Sequence, residues 1–217
     1  MNDKPLDEGP LISGDALGRV VSFSDAVVAV AITVLALPLV SLGFPAGSTS
    51  PFAIITGNWA QIEAFLLTFV IVFALWQGHH RVFRNFKAID GTIMILNGAW
   101  LLTIAFLPWP SRLISDASGG QQAAWLYCAD LFLNSLLLHA ITQHGRNHPE
   151  LVRDDSLWQT WLTISIVFSA MFAVLTLLAF AAPQWALRLL WLVIAVRILI
   201  QQDGRLRSWF YSREPNP

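Results

Sequence analysis

Residues 18–42 read Gly-Arg-Val-Val-Ser-Phe-Ser-Asp-Ala-Val-Val-Ala-Val-Ala-Ile-Thr-Val-Leu-Ala-Leu-Pro-Leu-Val-Ser-Leu, with no charge after Asp25. A helix needs about 20 residues, at ~1.5 Å each, to cross ~30 Å of hydrocarbon. This stretch is long enough, and it opens on polar groups before turning apolar. The composition of the chain agrees. Of 217 residues, 55% are hydrophobic and 12% charged, about half the ~25% charge of soluble domains. Thirteen Lys and Arg with fourteen Asp and Glu are too few to cover a soluble surface. Disorder needs low hydrophobicity and high net charge, and a net charge of −1 argues against an electrostatic nucleic-acid binder. An integral membrane protein remains.

Working outward, six stretches qualify as membrane helices: Val20 to Leu42, Trp59 to Gly78, Ile89 to Trp109, Gln122 to Thr142, Leu157 to Ala181 and Gln184 to Ile200. The alternation of a membrane barrel is absent. Cations set the orientation. Arg19 precedes span one. His79, His80, Arg81, Arg84 and Lys87 join spans two and three. His144, Arg146, His148 and Arg153 join four and five, and Arg205, Arg207 and Arg213 follow six. The opposite connections are nearly free of cations, with none in residues 43–58 and only Arg112 in residues 110–121. Both termini are therefore expected in the cytosol. Residues 43–58 read as an outer loop, and Pro183 marks a tight hairpin between spans five and six. The acidic start, residues 1–10, has no apolar run behind a basic end, so it reads as a cytosolic tail and not a secretory signal. The single cysteine, Cys128, excludes an intrachain disulfide framework.

Span one carries the unusual residues. Asp25 lies about one turn into the apolar run, where an ionised group is costly and needs a partner. Arg19 is six residues earlier, off the same-face spacing. Three roles stay open for Asp25: capping the helix with Ser22 and Ser24, joining a buried polar network with another helix or subunit, or meeting an ion. Val30, Thr33, Val34 and Leu37 fall at i, i+3, i+4 and i+7 and share one face. By spacing alone that stripe is helix packing or pore lining. The Thr33 hydroxyl has the alternative of bonding the carbonyl of Ala29 or Val30. Pro38 is placed to kink the helix.

The pattern Arg19-x-x-x-Phe23-Ser24-Asp25, with Thr33 eight residues on, resembles the signature of the transmembrane protein 175 family. Trp76-x-x-His79-His80-Arg81-x-Phe83, then Asp90, Asn97 and Leu107-Pro108-Trp109-Pro110, resembles the family's second and third spans. The resemblance is specific over residues 18–115; the last three spans match in number and hydrophobicity only. It implies an all-α membrane fold of six helices per chain, assembled as the prokaryotic homotetramer with the first helix lining a central pore. It implies a potassium-permeable channel of the prokaryotic inner membrane, passive, with no cofactor and no catalytic residue. Its partners would be lipid and monovalent cations, K+ with Na+, Rb+ and Cs+ as further candidates. The constriction falls on Val30, the threonine layer on Thr33, and further apolar layers on Val34 and Leu37. Arg19, Phe23, Ser24, Asp25, Trp76, His79, His80 and Asn97 fall on the motif network. Valine at position 30 departs from the usual isoleucine or leucine and is one methylene smaller, which bears on how tight the ring is. On this reading residues 1–18 are a cytosolic tail, 19–202 the channel domain and 203–217 a basic cytosolic tail.

Other chemistry weighs less. Adjacent His79 and His80 point about 100° apart on a helix, and no cysteine or acid completes a zinc set. A hydrogen-bond network with Arg81, Asp25 or Asn97 fits them better. Glu63 and Asp130 read as paired or water-facing acids. Arg188 and Arg197 are placed to snorkel to opposite surfaces; a voltage sensor needs arginines at every third residue. Trp59, Trp76, Trp109, Trp125, Trp158, Trp161, Trp185 and Trp209 read as interfacial anchors, Trp100 and Trp191 as packing residues. The competing reading is a secondary transporter, which calls for broken midplane helices and an internal repeat.

Overall fold

The computed structural model describes residues 11–43, 50–116, 120–153 and 158–202, with backbone alone at 160 and 194–202. The basic tail with Arg205, Arg207, Trp209 and Arg213, the acidic start and part of the expected outer loop lie outside the described residues, as does the side chain of Arg197.

Among the described residues, nine α-helices follow in chain order. They are α1 (Gly14–Leu35), α2 (Leu37–Val40), α3 (Pro51–Gly57), α4 (Trp59–Arg84), α5 (Gly91–Phe106), α6 (Pro108–Ser115), α7 (Gly120–Asn147), α8 (Trp158–Ala181) and α9 (Pro183–Gln202). Among the described residues, five segments are long and apolar enough to span a membrane: Gly14–Val40, Trp59–Arg84, Gly91–Ser115, Gly120–Asn147 and Trp161–Ala181. The chain is a multi-pass membrane protein. The expected sixth stretch lies in α9, a helix of 20 residues, and only Ala182 separates it from α8.

Proline sets several boundaries. Pro38 has no N–H to give to the carbonyl one turn back, and α1 breaks at Ala36, whose amide turns to Thr33. Pro51, Pro108 and Pro183 each open a helix, where a missing amide costs nothing. Pro51 accounts for a correction: residues 51–57 of the expected loop form α3. Likewise α1 begins at Gly14, inside the expected tail. Gly14 holds φ +56, which glycine adopts without a side-chain clash.

A two-stranded pair that hydropathy did not announce joins the chain start to the α4–α5 linker. Strand β1 (Ile12–Ser13) runs antiparallel to β2 (Ala88–Ile89). Phe86 bridges to Val152, the Lys87 amide donates to the Leu151 carbonyl (2.9 Å), and the Arg153 amide donates to the Asn85 carbonyl (2.8 Å). The start of α1, the end of α4, the start of α5 and the end of α7 therefore meet at one end of the bundle, the basic end.

The core has two parts. The larger lies among the spans, where Val28, Ala31 and Leu35 of α1 meet Leu67, Ile71, Trp100, Ile104 and Leu131. Lipid is as apolar as these side chains, so helices associate there by close packing and interhelical hydrogen bonds. Thr68 supplies such bonds, 2.7 Å to Ser111 and 3.0 Å to Tyr127. The smaller core, with Leu17, Phe83, Phe86, Ile89, Leu151 and Trp158, closes the basic end. At Gly145 a Cβ would stand 2.8 Å from the Trp158 ring and 2.9 Å from Phe86, so α7 approaches that aromatic pair only because this residue has no side chain.

Candidate functional site

Helix α1 has two faces. Leu17, Ser24, Val28, Ala31 and Leu35 are buried against the bundle. The opposite face, with Arg19, Phe23, Ala26, Val30, Thr33 and Val34, is exposed, as is Leu37 at the start of α2. Val30 and Leu37 are each 61% exposed and Val34 39%, so the stripe at i, i+3, i+4 and i+7 stands largely open on its own protomer. The Thr33 hydroxyl donates to the Val30 carbonyl at 2.7 Å. Its proton is thus committed to the helix, and its lone pairs are left toward the exposed face.

Behind this face lies a directed hydrogen-bond chain. The Ser24 hydroxyl donates to the Val20 carbonyl (2.9 Å), and the Asn97 amide nitrogen donates to Ser24 Oγ (3.0 Å). Asn97 Oδ1 therefore accepts, and His79 Nε2, 2.8 Å away, donates to it. The His79 ring is stacked on Phe83 at 4.2 Å and on Trp100 at 4.1 Å. Ser24, His79 and Asn97 are all buried. Buried polar groups are costly unless paired, and each of the three side chains here meets an acceptor or donor on another element or its own turn. The chain ties α1 to α4 and α5.

Asp25 takes a separate partner, the Trp76 indole N–H at 2.7 Å. An indole on another helix supplies the donor, and no ion pair forms there among the described residues. Trp76 also lies against the His80 ring, 5.4 Å between centroids.

Of the eight motif residues, the structure brings Ser24, His79 and Asn97 into one chain, with Asp25, Trp76 and His80 beside it. Phe23, 64% exposed, and the exposed Arg19 stand away from it on the open face. Arg81 does not join it among the described residues. Glu63 accepts from the Trp191 indole at 3.2 Å, whereas Asp130 is buried with no hydrogen-bond partner among the described residues. Trp59, Trp109, Trp125 and Trp185 are exposed, but Trp158 is only 2% exposed and belongs to the core at the basic end. Its position near a span end gave no hint of this, because Gly145 opens the space for it from a distant stretch of chain.

Asp90 has a role beyond its motif. It caps α5, accepting from the Ile93 amide at 2.8 Å, and its other oxygen meets His144 Nε2 at 2.6 Å. His144 stacks on His148 at 4.3 Å, and His148 Nδ1 meets Glu150 at 2.9 Å. No group of three His, Cys, Asp or Glu side chains among the described residues is arranged to hold a metal ion.

Comparison with known proteins gives one family. The family model described as "Endosomal/lysosomal potassium channel TMEM175" matches residues 19–108. A potassium channel of Chamaesiphon minutus is 32% identical over 142 residues, 62% of this chain and 68% of that protein. A potassium channel of Streptomyces collinus is 31% identical over 131 residues, 58% of this chain and 63% of that one. The endosomal/lysosomal proton channel TMEM175 of Danio rerio is 29% identical over 137 residues, and the matched part is only 26% of its length. In fold, the crystal structure of a lysosomal potassium-selective channel TMEM175 homolog from Chamaesiphon minutus matches with a TM-score of 0.72. It covers 88% of this chain and 100% of that one at 19% identity.

Proposed function

The chain belongs to the TMEM175 family, a family of ion channels and not of enzymes, and from that premise we propose that it conducts potassium passively as a homotetramer. Four copies of α1 line the axis, with both termini in the cytosol of a prokaryote and the bundle in its inner membrane. The observation that carries this reading is the open face of α1. It bears Val30, Thr33 and Val34, with Leu37 of α2 just past the break, while the opposite face is packed into the protomer.

The chemistry follows from those side chains. A ring of valines offers no ligand to a dehydrated cation, so it opposes passage by dewetting and by a dehydration cost that depends on radius. The Thr33 ring, with its protons engaged on Val30 carbonyls, presents oxygen lone pairs one turn away. Together they give modest discrimination of K+ over Na+ without a charged filter or a resident cofactor. The names of the animal relatives favour a second permeant ion, the proton.

Reconstitution in liposomes tests both. Reversal potentials under K+ and Na+ gradients are expected to favour K+. Val30→Ala and Thr33→Ala are expected to enlarge the current or weaken the discrimination, because either change lowers the dehydration barrier. A pH gradient in K+-free solution isolates proton flux. Absence of cation current from the pure protein would sink the channel reading. Permeation unchanged in both variants would sink the pore-lining assignment alone.

A further inference from the structure

We propose that a cavity at the basic end binds a phosphate-bearing anion, either the headgroup of an anionic lipid or free phosphate. The cavity has a volume of about 310 Å³, room for several water molecules at ~30 Å³ each. Its polar wall holds two arginines and a histidine. Arg84 ends α4, His80 lies one turn earlier on the same helix, and Arg153 enters from the α7–α8 linker. No carboxylate lines it among the described residues.

Two of these groups are prepared for a ligand. Arg153 Nε donates to the Phe86 carbonyl at 3.2 Å. That contact, with the backbone bond to Asn85, fixes the Arg153 side chain at the rim of the cavity. His80 Nδ1 is buried and has no hydrogen-bond partner among the described residues. An arginine fork matches two oxygens of one phosphate, and two arginines on different elements can hold it from two sides.

The remaining wall suits an amphiphile. Leu17 and Val21 of α1 face Phe83 and Phe86 across the cavity. Gly14 and Gly18 leave its α1 side open, since a Cβ at either would meet nothing within 4 Å. A cationic rim over an apolar floor, beside the end of the membrane spans, fits a phosphate with a glycerol and chain below it. Placing it at the cytosolic leaflet rests on the orientation proposed above; the chemistry of the cavity does not.

The test is thermal unfolding of the purified full-length protein in detergent, followed by tryptophan fluorescence at fixed ionic strength. Dioctanoyl phosphatidic acid is expected to raise the midpoint by a few degrees, as a ligand of the folded state does, while dioctanoyl phosphatidylcholine has little effect. The double variant Arg84→Gln/Arg153→Gln removes the difference. So does Gly18→Leu, which narrows the cavity from its α1 side and keeps every charge. Arg112→Gln, at the other end of the bundle, retains it. Inorganic phosphate identifies the source: a matching rise lost in the same variants assigns a soluble anion, and no rise assigns the lipid. The proposal is overturned if the two lipids act alike on the wild type, or if their difference survives both Arg84→Gln/Arg153→Gln and Gly18→Leu. Neither flux nor orientation enters the readout, so failure here is distinct from failure of the channel reading.

Discussion

At Asn97 a single side chain holds three helices together, because its amide has a donor end and an acceptor end and both are used. The donor reaches Ser24 on α1 and the acceptor receives from His79 on α4. Removing it leaves the buried His79 Nε2–H without an acceptor, at about 1–3 kcal/mol, and opens a gap where α1, α4 and α5 meet, although Ser24 keeps its bond to the Val20 carbonyl. Asn97→Ala is therefore expected to lower the unfolding midpoint in detergent more than Ser24→Ala, which leaves the His79–Asn97 bond in place. Equal losses in the two variants would show that the chain does not act as a unit. Sequence reasoning named all three residues through a motif and offered Asn97 as one partner for the histidines, as the His79–Asn97 bond shows, but it could not join Ser24 to them. Ser24 and Asn97 are 73 positions apart, and nothing local to either points to the other. Asp25 was legible as a residue in need of a partner; that the partner is the Trp76 indole rather than a cation depends on how α1 and α4 pack.

At the scale of elements, α5 shows how a helix start couples to charge. Asp90 adopts extended backbone, and its carboxylate accepts the Ile93 amide, at the helix end where a negative group is favoured. Partial burial, the largest single influence, pushes the Asp90 carboxyl up, but the Ile93 amide and the His144 ring together outweigh it. The carboxyl is held below its ordinary value, and His148 adds to the effect. A carboxylate with a lowered folded pKa stabilises the protein fully above its unfolded pKa, about 4. That stability is lost as pH falls through the lowered value. Asp90→Asn keeps an acceptor for the cap and cannot titrate. The gap in melting midpoint between wild type and Asp90→Asn is expected to hold steady from pH 7 to about 5 and to shrink below about 4. A gap independent of pH down to 3 would rule out the ionised carboxylate as its source. The helices themselves were legible from hydropathy and proline, since each depends on its own stretch of chain. The pairing of β1 with β2 was not: two residues per strand carry no period, and their register is set by the distant linker they meet.

At the scale of the whole molecule, two kinds of exposed apolar surface must be told apart. Val174 and Leu177 on α8 are as open in the protomer as Val30 on α1 and Leu37 on α2, yet lipid and a pore axis place different demands on them. Lipid-facing residues of separate copies stay apart, whereas residues lining a fourfold axis meet their own counterparts in the neighbouring copies. Small Ala26 and Ala29 on the open side of α1 allow the close approach such an axis requires. Single cysteines separate the cases, once Cys128, the one native thiol and a buried one, is replaced by serine. Val34→Cys and Leu37→Cys are expected to form covalent dimers under mild oxidation in membranes, because a disulfide needs Cα atoms within about 7 Å or a transient approach to that distance. Val174→Cys and Leu177→Cys are expected to remain monomeric on a denaturing gel. Cross-linking on α8 with none on α1 would exchange the two faces. The copies would then meet through α8, the stripe on α1 would turn to lipid, and Val30 and Thr33 would have no part in the conduction path.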